Sequence, residues 1–161
     1  MGTFTASWQD PKIVAEAGRT MSGLDLMRAM IAGKFPPPPI AQLMDFRLVE
    51  VDHGHAVFEC HPGEMHYNPI GVVHGGLAMT LLDSCMGCAV HTSLPAGVGY
   101  TTLEAKVNLV RAITSATGRL RAIGKVVHAG RSVATAEGRL VDAGGRLYAH
   151  ATTTCMIFNG K

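Results

Sequence analysis

Apolar and polar positions alternate with period two along several stretches of this 161-residue chain. Leu103, Ala105, Val107 and Leu109 fall on one face of Tyr100–Val110, with Glu104, Lys106 and Asn108 on the other. Leu147, Ala149, Ala151, Thr153, Cys155 and Ile157 repeat the pattern within Arg146–Phe158. Phe46–Val51, His55–Cys60, Thr117–Val127 and Ser132–Asp142 read as four more strands. Turns are expected at Asp52–Gly54, Ala129-Gly130 and Gly144-Gly145. Between the second and third strands the period changes. From Gly75 to Val90 every residue is apolar, small or weakly polar except Asp83, which predicts a helix over Gly75–His91. A helix apolar all round must be buried all round. Six strands and one such helix give an α+β layout in which a single antiparallel sheet wraps the helix. An open sheet edge and an apolar flank then predict at least a dimer.

The first quarter reads differently. Ser22 can cap a helix from Gly23 to about Ala32, with Leu24, Met27, Met30 and Ile31 on one stripe. Pro36 to Pro39 stops that helix and forms a short stiff spacer. A proline run can also be an SH3-type ligand, but four prolines before a domain more often form a linker. Residues 1–39 therefore read as an appended helix and Pro-rich spacer, and 40–161 as the main domain.

Composition narrows the classes. Net charge is +2, and Lys and Arg are scattered through the second half, so no basic patch points to nucleic acid. The N-terminus lacks a basic region followed by an apolar run, and Gly75–Val90 is too short and glycine-rich to span a bilayer. The expectation is a cytoplasmic protein without membrane association. Cys60, Cys85, Cys88 and Cys155 are then expected as reduced core thiols. Cys85 and Cys88 form a C-x-x-C inside the helix, where neither a redox pair at a helix start nor a second pair of zinc ligands is available. His53, His55, His61 and His66 crowd one region without a carboxylate or Cys at ligand spacing, so no metal is expected.

The chemistry concentrates between Asn68 and Asp83. An ionised carboxylate in apolar surroundings costs several kcal/mol unless compensated, so Asp83 reads as a reaction site rather than a structural residue. The Gly75-Gly76 pair lets backbone N–H groups approach another molecule closely, at the positive end of the helix dipole. Asp83 could also be a structural carboxylate bonded to Thr102. His74 could be a capping residue, and Asn68 before Pro69 a turn residue.

The run "NPIGVVHGGLAMTLLDS", followed by "GYTTLEAKVNLVRAI", resembles the PaaI-type branch of the hotdog-fold acyl-CoA thioesterases, in the 4-hydroxybenzoyl-CoA thioesterase-like superfamily. The likeness runs from about Leu48 to Phe158. It implies a hotdog thioesterase domain over 40–161 that hydrolyses an acyl- or aryl-CoA thioester to free acid and CoA. CoA enters as part of the substrate, with no separate cofactor. Asp83 would be general base or nucleophile, and Gly75 would supply the oxyanion-hole N–H. Asn68, His74 and Thr102 would position substrate and water. Gly76, Thr101, Arg131 and Ser132 would bind substrate, Arg131-Ser132 along the pantetheine and phosphate path. The resemblance further implies a homodimer or homotetramer with composite sites, Asp83 and Thr102 from one subunit and Asn68 and Gly75 from its neighbour. Two departures stand out: Arg111 is followed by Ala112 where relatives often carry Pro, and the acid is Asp where some carry Glu. The rivals are a non-catalytic acyl-CoA sensor and an enoyl-CoA hydratase. The latter normally places a His a few residues after the acid, where this chain has Gly87 and Cys88.

Overall fold

The computed structural model describes residues 1–159. Three short helices, α1 (Lys12–Ala17), α2 (Gly23–Ile31) and α3 (Pro39–Leu43), precede strands β1 (Phe46–Asp52) and β2 (His55–Cys60). Helix α4 (Gly75–His91) follows, then β3 (Val98–Leu109), β4 (Leu120–Ala129), β5 (Val133–Asp142) and β6 (Leu147–Asn159). The strands form one antiparallel six-stranded sheet in the order β1-β2-β4-β5-β6-β3. The expected α+β hotdog arrangement is what the chain adopts.

The sheet curls around α4 because its middle strands carry no side chain where the helix sits closest. A Cβ at Gly124 of β4 would collide with the Cys85 carbonyl, and one at Gly138 of β5 would lie 2.9 Å from Met86 Cγ. Leu81, Leu82, Cys85 and Met86 fill the space with Leu120, Leu140 and Ala149. The β1–β2 turn is fixed to the far end of α4, where Gly54 (φ 70°) donates to Thr92 Oγ1 at 2.8 Å.

Three expectations need correction. Helix α4 is not buried all round: Met79 and Asp83 are exposed in the single chain, on a stripe with half-buried Gly76 and Thr80. The period-two face of β3 is interrupted by a bulge between Thr102 and Glu104. Leu103 is therefore exposed, while Tyr100, Thr102, Ala105 and Val107 lie opposite inward-facing residues of β6. Finally, the first quarter is not a loose appendage. Ser22 caps α2 as expected, accepting from Asp25 N at 3.2 Å, and Leu26, Met27 and Ala29 are buried. Gly23 is pressed against the His91 carbonyl so closely that no Cβ fits, and its N–H donates to Leu94 O at 3.0 Å. The proline run ends by opening α3, with Pro39 at the helix start where its missing N–H costs nothing. No helix among the described residues is long and apolar enough to cross a membrane.

Candidate active site

His74 is the N-cap of α4. Its Nδ1 accepts from Gly76 N at 2.9 Å and its carbonyl from Leu77 N at 3.1 Å. That leaves the Gly75 N–H without an acceptor among the described residues, at the positive end of a 17-residue helix. With Nδ1 accepting, the neutral His74 ring carries its proton on Nε2. The capping role weighed for His74 is real, and it leaves that second nitrogen free to donate. Gly75 also has a packing reason to be glycine, since a Cβ would sit 2.6 Å from Leu109 Cδ1.

The loop before the helix is wound on Asn68. Its Oδ1 accepts from Ile70 N at 3.1 Å and Val72 N at 3.4 Å, while its backbone N–H donates to Val72 O at 2.8 Å. Gly71 turns the chain at φ 81°. The amide oxygen of Asn68 therefore orders the loop, and its Nδ2 is the part available to a ligand.

One contributor was missed in the sequence. Buried His66 accepts from Gly63 N on Nδ1 at 3.0 Å and donates from Nε2 to Met44 O at 3.1 Å. Its carbonyl receives the His74 N–H at 2.7 Å, which sets the entry to α4. His66 is a positioning residue.

Two turns along α4, Asp83 accepts a 2.9 Å hydrogen bond from Thr102 Oγ1. The expectation of a buried carboxylate fails for the isolated chain, where Asp83 is exposed. Beneath it, however, lies a floor of neutral weak acids. Burial pushes the Cys88 thiol up to about 12, raises Cys85 and Cys155, and holds the Tyr100 phenol well above its usual range. Nearby Asp83 adds a smaller upward push to each. Thr102 also lies against Cys155, which its hydroxyl steadies. All four cysteines are free.

The remaining candidates lie apart from this pair. Thr101 is exposed and pairs with Met156, on the face of β3 opposite Thr102. Arg131 and Ser132 form the exposed β4–β5 turn, with Ser132 O accepting from Ile157 N at 2.9 Å. That turn is two strand spacings from β3, roughly 10 Å. The structure thus brings Thr102 to Asp83, sets His74 against Gly76 at the start of α4, and places Asn68 in the loop that leads into that helix. Arg131, Ser132 and Thr101 touch neither group. Among the described residues no three His, Cys, Asp or Glu side chains gather as a metal would require.

Residues 70–149 match the family model described as the thioesterase superfamily. The chain is 30% identical over 122 residues to a "putative esterase" of Saccharolobus solfataricus, covering 76% of this chain and 85% of that one. A "putative thioesterase, phenylacetic acid degradation-related protein" from Ralstonia eutropha superposes with TM-score 0.73 at 29% identity over 81% of this chain and 98% of its own. A hypothetical thioesterase from Streptococcus pneumoniae, solved with coenzyme A, superposes with TM-score 0.64 at 25% identity, covering 72% and 88%.

Proposed function

Because the chain belongs to the thioesterase superfamily and has its hotdog fold, we propose that it hydrolyses acyl-CoA thioesters to free acid and CoA, with Asp83 as the reacting carboxylate. The observation that carries the assignment is the Thr102–Asp83 bond on the open stripe of α4. There a carboxylate, a fixed hydroxyl and the exposed apolar side chain of Met79 lie on one side of the helix.

The distance along the helix constrains the assembly. Gly75 and Asp83 are eight residues apart, about 12 Å at 1.5 Å per residue. A single carbonyl must lie about 3 Å from both its oxyanion donor and its attacking group. That separation favours a donor and an acid drawn from different chains. In a two-fold dimer, residue i of one copy meets residue j of the other, so the Gly75 N–H and Asn68 amide of one copy can serve Asp83 and Thr102 of its partner. The same contact covers Met79 and strips water from Asp83, supplying the low-dielectric surroundings that the single chain lacks.

In that site Asp83 takes the proton of a water held by Thr102 while the water oxygen attacks the thioester carbon. The oxyanion forms against the Gly75 N–H. Collapse of the tetrahedral intermediate breaks the C–S bond and releases CoA thiolate, which is reprotonated from Asp83. Direct attack by Asp83, giving a mixed anhydride that water then opens, uses the same atoms. The CoA seen with the Streptococcus pneumoniae relative supports a CoA ester as the substrate.

The test is release of free thiol from a panel of acyl- and aryl-CoA esters by the native chain and by Asp83→Asn. Turnover that falls at least about a hundredfold in a folded Asp83→Asn variant supports the role. Near-native turnover in that variant removes Asp83 from the chemistry. Tight binding of esters with no turnover by the native chain would make it a sensor.

A further inference from the structure

A second space in the molecule lies beyond the reacting groups, between the N-terminal helices and the sheet. It measures about 980 Å³ and is lined mainly by apolar side chains, among them Val14, Leu26, Met30, Leu48 and Phe58. A cavity of about 150 Å³ already holds a benzene ring, so this one is several times too large for an aryl group alone. Cys88 and Tyr100 are among its lining residues. Tyr100 shares the inward face of β3 with Thr102, two residues or roughly 7 Å along the strand. Cys88 lies just over one turn beyond Asp83 on α4. Two of its lining residues thus lie on the strand and the helix that carry the reacting pair.

From this geometry we propose that the cavity is the acyl pocket, and that the chain acts on esters of long unbranched fatty acids. The N-terminal segment forms its outer wall and is built into the fold: the Gly23 N–H donates to Leu94 O and the Gly97 N–H to Gly18 O at 3.1 Å. Half-buried His91, also in the wall, has its pKa lowered by burial and favours the neutral form beside an apolar ligand. Of the two arginines in the lining, both exposed, Arg47 faces Glu59 at 3.5 Å. The acyl carbonyl would stay at Asp83 while the alkyl tail runs past Tyr100 under α2. This inference rests on the thioesterase reading for its substrate, but the pocket can be tested without turnover.

The experiment compares kcat/KM for acetyl-, hexanoyl-, decanoyl- and hexadecanoyl-CoA in the native chain, in Met30→Trp and in Val14→Trp. The two variants narrow the cavity from different helices, so a folding defect in one leaves the other. Each methylene entering the pocket should raise kcat/KM by up to about fourfold. The decanoyl-to-acetyl ratio should exceed about a hundredfold in the native chain and fall at least tenfold in either variant. A flat or acetyl-favouring profile, unchanged in folded variants, overturns the pocket while leaving the thioesterase reading intact. If no ester is hydrolysed, the catalytic reading fails. Calorimetric binding of the non-hydrolysable thioether dodecyl-CoA then decides the pocket. Binding tighter than that of CoA and weakened by Met30→Trp supports it, and binding equal to that of CoA overturns it.

Discussion

Replacing Thr102 by Val isolates the one hydrogen bond that ties the sheet to the candidate catalytic acid. Valine keeps the β-branched shape and fits a strand, so packing against Cys155 is retained and only the hydroxyl is lost. A hydrogen bond to a charged group contributes about 1.5–3 kcal/mol. Taken at its lower end, about 1.5 kcal/mol, this corresponds to at least roughly tenfold in rate. The assay is thiol release under kcat/KM conditions for the native chain, Thr102→Val, Asp83→Asn and the double variant. If Thr102 acts by holding Asp83 and its water, the double variant is no slower than Asp83→Asn alone. If the two losses multiply, to about a thousandfold, Thr102 works on the substrate independently and the orienting argument is wrong. Thermal unfolding should move less than the rate, since valine keeps the strand's shape and packing.

The remaining predictions concern assembly, packing and pH. Mixing equal amounts of unfolded Asp83→Asn and Asn68→Ala chains and refolding them should restore about a quarter of native activity, because half the random dimers carry one intact composite site. Zero recovery from mixed dimers, when each variant alone is inactive, would place both residues in the same subunit's site. Gly124→Ala should lower stability by about 3 kcal/mol, the top of the overpacking range, because the new methyl meets helix backbone rather than a flexible side chain. For a chain of this size that is a fall of about 6–12 °C in Tm by calorimetry, and an unchanged Tm would show that the helix can lift off the sheet. Burial lowers the His91 pKa from its usual 6.5, so below that pH the unfolded chain takes up a proton before the folded one and stability falls. The urea midpoint should therefore drop between pH 7 and 5 in the native chain and drop less in His91→Gln; parallel curves would assign the drop to other groups.

Much of this architecture could be read from the chain because its signals are local. Helix α4 spans Gly75–His91 as its apolar run predicts, and β2 begins and ends where the alternation does. Helices α1 and α3 escaped notice because six and five residues are too few to show a period. Asp83 was expected to be buried, and in the single chain it is exposed. An all-apolar helix announces that every side is covered, not whether its own sheet or a second chain provides the cover. His66 was hidden because its ring bonds only to backbone groups of Gly63 and Met44, and backbone partners leave no mark on residue identity. Thr102 rather than Thr101 was given the water-positioning role by the family resemblance, not by the alternation. Strict alternation back from Val107 would have turned Thr101 inward, and the bulge reverses that choice.

The bulge at Leu103 also has a consequence for length variation. Leu103 is the one residue of β3 without a place in the ladder: Thr102 pairs with Cys155 and Glu104 with Thr154, neighbours on β6. Removing it would join two segments already in register and leave Thr102 on the inner face. A deletion in the middle of a strand ordinarily turns half of its side chains to the wrong side. Here it would be neutral in phase, so a one-residue gap at this point between two related sequences need not signal a lost site. The shorter sequence should be aligned with its threonine still opposite Cys155.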